Sequence, residues 1–280
     1  MNRIGSLASI LGFIISIISL FIFEEEKKLW LSGFIIVLFF VLFVLSCFRY
    51  YSSKHYLIAY KVIQDIHYDM LCNQVKYNSY TLKESVFALS SVCSRISDMF
   101  TDLRKSQVSV CIKYTNKEDD IYYVENLCRD RKSYEVRKNR YNTKCKDNIN
   151  LNTDFKEIFE KIKNNNNWKD VYYRASNLPQ KHQYINTHLV EKLPDNWYSF
   201  YYRYKQWPLP YKSTIVTPIL SDDNKTIYGF LCVDSDKIKG FNYDHDIKMV
   251  QDIALILSPI IRIISEKHLI KNIQSKSSNK

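Results

Sequence analysis

The chain has seven cysteines, six histidines and five glycines among 280 residues. The cysteines (47, 72, 93, 111, 128, 145 and 232) are odd in number and scattered, with no C-x-x-C pair. That pattern argues against a structural zinc site and against a disulfide framework, and points to thiols kept reduced. The histidines form no H-E-x-x-H motif. Gly5, Gly12 and Gly33 lie in an apolar N-terminal part, and Gly229 and Gly240 are the remaining two. No phosphate-cradling loop can be assembled from them, so P-loop and dinucleotide chemistry is excluded. There is no nucleophile elbow either, and no catalytic residue or cofactor is assigned.

Two residue groups could bind rather than react. The first is aromatic, with Trp168, Tyr172, Tyr173, Trp197, Tyr198, Tyr201 and Trp207 between residues 168 and 211. His182, His188 and Arg203 lie among them as polar groups. Aromatic walls with a few polar groups suit a small-molecule pocket, and equally suit the packing of a long connection. The second group is basic. Between residues 129 and 147, eight cations stand against three acids. Arg129, Arg131, Lys132, Arg137, Lys138 and Arg140 are the candidate contacts for anionic lipid or another phosphate; a solvated loop is the plain alternative.

The elements that must position these groups fall into two parts. Ile4 to Phe23 and Leu29 to Phe48 are uncharged runs of twenty residues. At about 1.5 Å per residue each matches a bilayer core of about 30 Å. The charged connection Glu24 to Lys28 makes them an antiparallel hairpin, with Gly5, Ser9, Gly12, Ser16 and Ser19 as a small-residue stripe on the first helix. Arg3 on one flank and Arg49, Lys54 and Lys61 on the other favour cytoplasmic termini at an inner membrane. Residues 1–48 carry no net charge, so the chain's net charge of +11 belongs to residues 49–280.

Residues 49–79 read as a juxtamembrane helix and linker, and 271–280 as a polar tail. Thr81–Glu84 is a capping-box pattern ahead of Val86, Leu89, Cys93, Ile96, Phe100 and Leu103 at helical spacing. Val108 to Tyr114 alternates as a strand and Ile121 to Cys128 is its hairpin partner. Thr214–Leu220 and Thr226–Asp234 form a second hairpin. Asp154–Lys163 is helical. A last helix starts at Asn242 or Asp244 and carries Pro259, which should kink it. The fold class is α+β: an antiparallel sheet with flanking helices.

This order, together with Tyr211-Lys212-Ser213-Thr214-Ile215-Val216-Thr217-Pro218-Ile219 and Gly229-Phe230-Leu231-Cys232-Val233-Asp234-Ser235, resembles the GAF domain. The resemblance covers about residues 80–268, with 80–270 taken as the domain. Asn152-Thr153-Asp154-Phe155 and Ser176-Asn177-Leu178 match further positions of a bacterial subgroup. Pro218 within a strand implies an edge or a bulge, and Gly229 a close approach of another backbone or a ligand. Bilin-binding, cyclic-nucleotide and sulfoxide-reducing subtypes lack their local patterns here. The resemblance implies a ligand held between the sheet and residues 152–211. The ligand-binding candidates are Asn152, Asp154, Trp168, Tyr173, Asn177, Trp197, Arg203, Tyr211 and Ser213.

The expectation is a non-enzymatic sensor anchored in the bilayer. Its partners would be an unknown small molecule, a downstream protein, and a second copy through the juxtamembrane and terminal helices. The alternative is a two-helix membrane effector of a bacterial defence system, triggered through the same domain.

Overall fold

A computed structural model describes residues 12, 25–118, 121–138, 146–164, 168–181, 184–187, 205, 207–221 and 226–277. The chain divides into two compact units, Met1–Ile58 and Ala59–Lys280.

In the first unit, helix α1 (Glu25–Ser79) begins; it ends in the second. The expected loop at 24–28 is therefore helical from Glu25 onward, since that segment holds neither glycine nor proline. The run 4–23 lies outside the described residues apart from Gly12. The run 29–48 falls in α1, with side chains described over 33–35 and 37–47. Among the described residues, no helix is long and apolar enough to cross a membrane. Gly12 packs against Phe39: a Cβ on Gly12 would strike the Cζ end of the Phe39 ring.

In the second unit, α2 (Leu82–Arg104) starts as its capping box requires. Glu84 N donates to Thr81 Oγ1 at 3.3 Å, and Thr81 N donates to Glu84 Oε2 at 2.7 Å. Strands β1 (Val108–Glu118) and β2 (Ile121–Arg129) form the first hairpin, with a bulge at Ile112/Lys113. Next come α3 (Arg131–Lys138), β3 (Lys146–Asn148), α4 (Thr153–Asn164) and β4 (Tyr173–Ala175). Strands β5 (Ser213–Leu220) and β6 (Ile227–Ser235) form the second hairpin, and α5 (Tyr243–Ser277) closes the chain as one helix with Pro259 inside it.

The six strands form one sheet in the order β3-β2-β1-β6-β5-β4, with every neighbouring pair antiparallel. The α+β expectation therefore holds. Helices α2 and α5 cover one face. There Leu89, Ile96, Phe100, Ile112, Leu231, Val233, Val250 and Leu257 are buried.

Pro218 meets the expectation of a locally open edge. Short β4 pairs only with Thr214, Ile215 and Val216, so β5 has no ladder partner on that side at Pro218. Gly229 meets its expectation too. A Cβ there would strike the Lys113 carbonyl oxygen, so β1 is the backbone that approaches.

Candidate functional site

The other sheet face lies under α4 and the described residues of 168–181, 184–187 and 207–212. Side chains alternate along a strand, so Cys111 and Lys113 of β1 share this face with Cys232 and Phe230 of β6, their direct partners in register. Val124, Tyr173, Ala175 and Val216 join them from β2, β4 and β5. Phe155 and Ile158 come down from α4, and the Phe155 ring lies 4.7 Å from the Phe230 ring. Tyr173, Tyr184 and Trp207 form a continuous aromatic wall, with ring centroids 6.3 and 6.4 Å apart.

Charges are buried beneath this apolar cover. Lys113 Nζ donates to Asp147 Oδ2 at 3.0 Å and lies 5.3 Å from the centre of the Phe155 ring. Burial alone would lower the Lys113 pKa. Asp147 and the thiols of Cys111 and Cys232 outweigh burial and raise it. Asp147 Oδ1 accepts from the Thr187 hydroxyl at 2.6 Å, and Asn152 Oδ1 accepts from Thr187 N at 3.2 Å. This chain of bonds fastens residues 184–187 over the sheet, together with the Ile185 N to Thr153 Oγ1 bond of 2.8 Å.

Asp154 opens α4 and is buried. Its Oδ1 accepts from Phe155 N at 3.0 Å, a main-chain donor at the positive end of a helix. Burial pushes its pKa up to about 7; main-chain donors and Lys113 oppose the rise, and Asp234 adds to it. Arg129 reaches the same face because the bulge shifts the alternation of β2 by one residue. Its Nη2 lies 3.7 Å from Cys111 Sγ. Burial opposes its charge, but Cys111, Asp234 and Asp130 outweigh this and raise its pKa.

Where β1 begins and β6 ends, a small open cleft of about 80 Å³ is lined by Gln107, Ser109, Ser133, Pro210, Tyr211, Asp234 and Asp236. The Asp234 carboxylate accepts from the Thr214 hydroxyl at 2.7 Å. Among the described residues no group of three or more His, Cys, Asp or Glu side chains could hold a metal ion. Burial raises the Cys232 thiol well above its ordinary range, as it does Cys93. Such thiols are poor nucleophiles.

The predicted residues separate accordingly. Asn152, Asp154 and Tyr173 come together on this face, and Tyr211 lines the cleft. Asn152 acts within the fold, holding Thr187 and, through Nδ2, the Asn148 carbonyl at 2.9 Å. The Tyr173 hydroxyl accepts from Lys181 Nζ at 2.9 Å. Asn177 precedes the 3-10 turn Leu178–Gln180, and its buried Oδ1 has no hydrogen-bond partner among the described residues. Ser213 faces the helix side: its hydroxyl donates to the Lys237 carbonyl at 2.7 Å and accepts from Gly240 N at 3.3 Å. Trp168 lies in a 3-10 turn with its side chain outside the described set. Trp197, Arg203, His182 and His188 lie outside the described residues.

The basic residues separate as well. Arg129 is turned inward. Arg131 is exposed, and exposed Lys132 pairs with Asp98 at 2.7 Å. The Arg137 and Lys138 side chains and all of Arg140 lie outside the described residues. Lys113 and Asp147, the strongest buried pair of the face, are not singled out by sequence pattern. The one available signal is a lysine inside a strand whose neighbours are all apolar or small.

No family model and no curated protein matches the chain. Solved structures do resemble it. A type II free methionine-R-sulfoxide reductase from Thermoplasma acidophilum is 14% identical, with 65% of this chain and 95% of that one covered and a TM-score of 0.40. The GAF domain of the Acinetobacter phosphoenolpyruvate-protein phosphotransferase is 9% identical, with 76% and 96% covered and a TM-score of 0.43. The chromophore-binding domain of a bacteriophytochrome from R. palustris is 8% identical, with 74% and 62% covered and a TM-score of 0.40. At these values they transfer no residue role to this chain. The sheet and its flanking helices are consistent with a GAF-like fold.

Proposed function

We propose that the chain is a membrane-anchored, non-enzymatic sensor that binds a small molecule on the sheet face beneath α4 and residues 168–181, 184–187 and 207–212. The observation that carries this reading is the buried floor of that face. The Lys113–Asp147 pair and the Asp154 carboxylate sit inside an aromatic and aliphatic enclosure. A few fixed polar groups within apolar walls give orientation and specificity to a small ligand. Burying charge costs several kcal/mol per ion, on the order of what a well-packed apolar core avoids. A face serving only as core would hold apolar side chains there.

Anchoring by the runs 4–23 and 29–48 is supported by their length and lack of charge, and by the close packing of Gly12 on Phe39. The basic excess of the following domain then faces an anionic leaflet, with both termini cytoplasmic. Output passes to a separate downstream protein. The test is native mass spectrometry of the full chain purified from its membrane in mild detergent. A co-purifying small molecule is expected, and Lys113→Met and Asp154→Leu should release it. A chain that carries no such molecule, and whose melting temperature no metabolite pool shifts, would rule this function out.

A further inference from the structure

Helix α1 carries a second apolar stripe that its own domain leaves uncovered. Its inward face is made by Ala59, Ile63, Ile66, Met70 and Tyr77, all buried. On the far side, Tyr68, Leu71 and Val75 are 69%, 57% and 78% exposed. Their spacing of three and then four residues continues backward through Gln64 and Lys61, giving one line along the helix. Helix surfaces facing water ordinarily carry charged or polar residues on such a line, and exposed apolar stripes mark contacts.

The period indicates what covers it. Alternating steps of three and four residues repeat every 3.5 residues, the spacing at which one helix wraps around another. Copies anchored in one bilayer place residue 68 of each at the same height, so the stripe meets itself in parallel. In that alignment the flanking positions do not repel. Asp65 of one copy faces Tyr60 of the other, and His67 faces Cys72, so no like charges meet at the flanks. Lys61 meets itself on the line, where its long stem lets the ammonium reach water.

We propose that a second copy of the chain covers this face, with Tyr68, Leu71 and Val75 of α1 forming the seam of a parallel helix pair. The parallel alignment rests on the membrane-anchored reading.

The test uses the full chain in its native membrane, with Cys47→Ser, Cys72→Ser and Lys61→Cys. Residue 61 meets its own counterpart only in the parallel, in-register pair. Mild oxidation should therefore give a disulfide-linked dimer. Adding Leu71→Glu and Val75→Glu should lower its yield by about tenfold, the loss expected for about 1.4 kcal/mol of seam contact. Those side chains are exposed, so an unchanged melting temperature checks that the variant folds.

Membrane flotation is read on the same samples. A chain that floats with membranes but gives no dimer overturns the pairing and leaves the anchor standing. A dimer that the two glutamates do not reduce, or a cross-link only to a different protein, overturns it as well. A chain that does not float refutes the anchor, and its mass in solution then decides the pairing: a monomer overturns it and a dimer lost in the glutamate variant upholds it.

Discussion

The Arg104 guanidinium grips both carboxylate oxygens of Asp246, joining the end of α2 to the start of α5. Arg104 Nε reaches Oδ2 at 2.7 Å, and Nη2 reaches Oδ1. Asp246 also accepts from Asn242 N at 2.9 Å, which satisfies a main-chain donor at the start of α5. The Asp246 side chain is fully buried and that of Arg104 nearly so. Burial raises the Asp246 pKa, and Arg104 holds it back. One ion pair thus fixes the mutual position of the two helices that cover the sheet.

Removing one partner of this pair strands a buried charge. Arg104→Leu should cost about 3–5 kcal/mol, read as a lower urea midpoint with an unchanged slope. The double variant Arg104→Leu/Asp246→Leu should recover part of that loss, short of full recovery because Asn242 N loses its acceptor. Equal losses in the single and double variants would show that the pair does not hold the helices.

Gly229 tests how closely β1 and β6 are joined. Gly229→Ala places a methyl group against the Lys113 carbonyl oxygen, with Lys113 C and Tyr114 Cα each 3.2 Å away. All three are backbone atoms, so the strands must part. The expected cost is about 1–3 kcal/mol, as for other overpacked sites. A melting temperature equal to that of the parent chain would contradict the close approach.

The capping box of α2 predicts a smaller effect. Thr81→Ala loses the acceptor for Glu84 N, and Glu84→Ala loses the acceptor for Thr81 N. Each should cost about 1 kcal/mol. The double variant should cost less than the sum, since each bond fixes the geometry of the other. Additive losses in equilibrium unfolding would show that the two bonds are independent.

These elements are legible in the sequence because their periods survive intact. The apolar spacing of α2 and α5 and the alternation of β1, β2, β5 and β6 each point to one covered face. Three-residue edge strands carry no such period, so β3 and β4 are silent, and α3 shows only as charge. The site is harder for two physical reasons. First, a central sheet covered on both faces buries its polar alternates too, so Lys113 resembles an outward residue. Second, one residue of shift reverses a side chain. The bulge turns Arg129 inward, and strand parity puts Ser213 on the helix side although Thr214 next to it faces the other way. Asp154 is legible through the motif around it, but its burial is not.

Asp154 supplies a pH test of the buried floor. Its folded pKa is about 7, while an unfolded aspartate ionises near about 3.9. Below the lower value both states hold the proton and the group does not affect stability. As pH rises between the two values the unfolded chain releases the proton and the folded chain keeps it. Stability therefore falls, with a limiting slope of about 1.4 kcal/mol per pH unit. Above the folded value the loss is constant. Asp154→Asn removes this term, so the stability of the parent chain minus that of the variant should decline from pH 4 to about 7 and then level off. Urea unfolding followed by tryptophan fluorescence at several pH values gives the difference directly. A flat difference would mean that Asp154 is ionised and solvated in the folded chain. A difference that rises with pH would mean that Lys113, and not burial, dominates its surroundings.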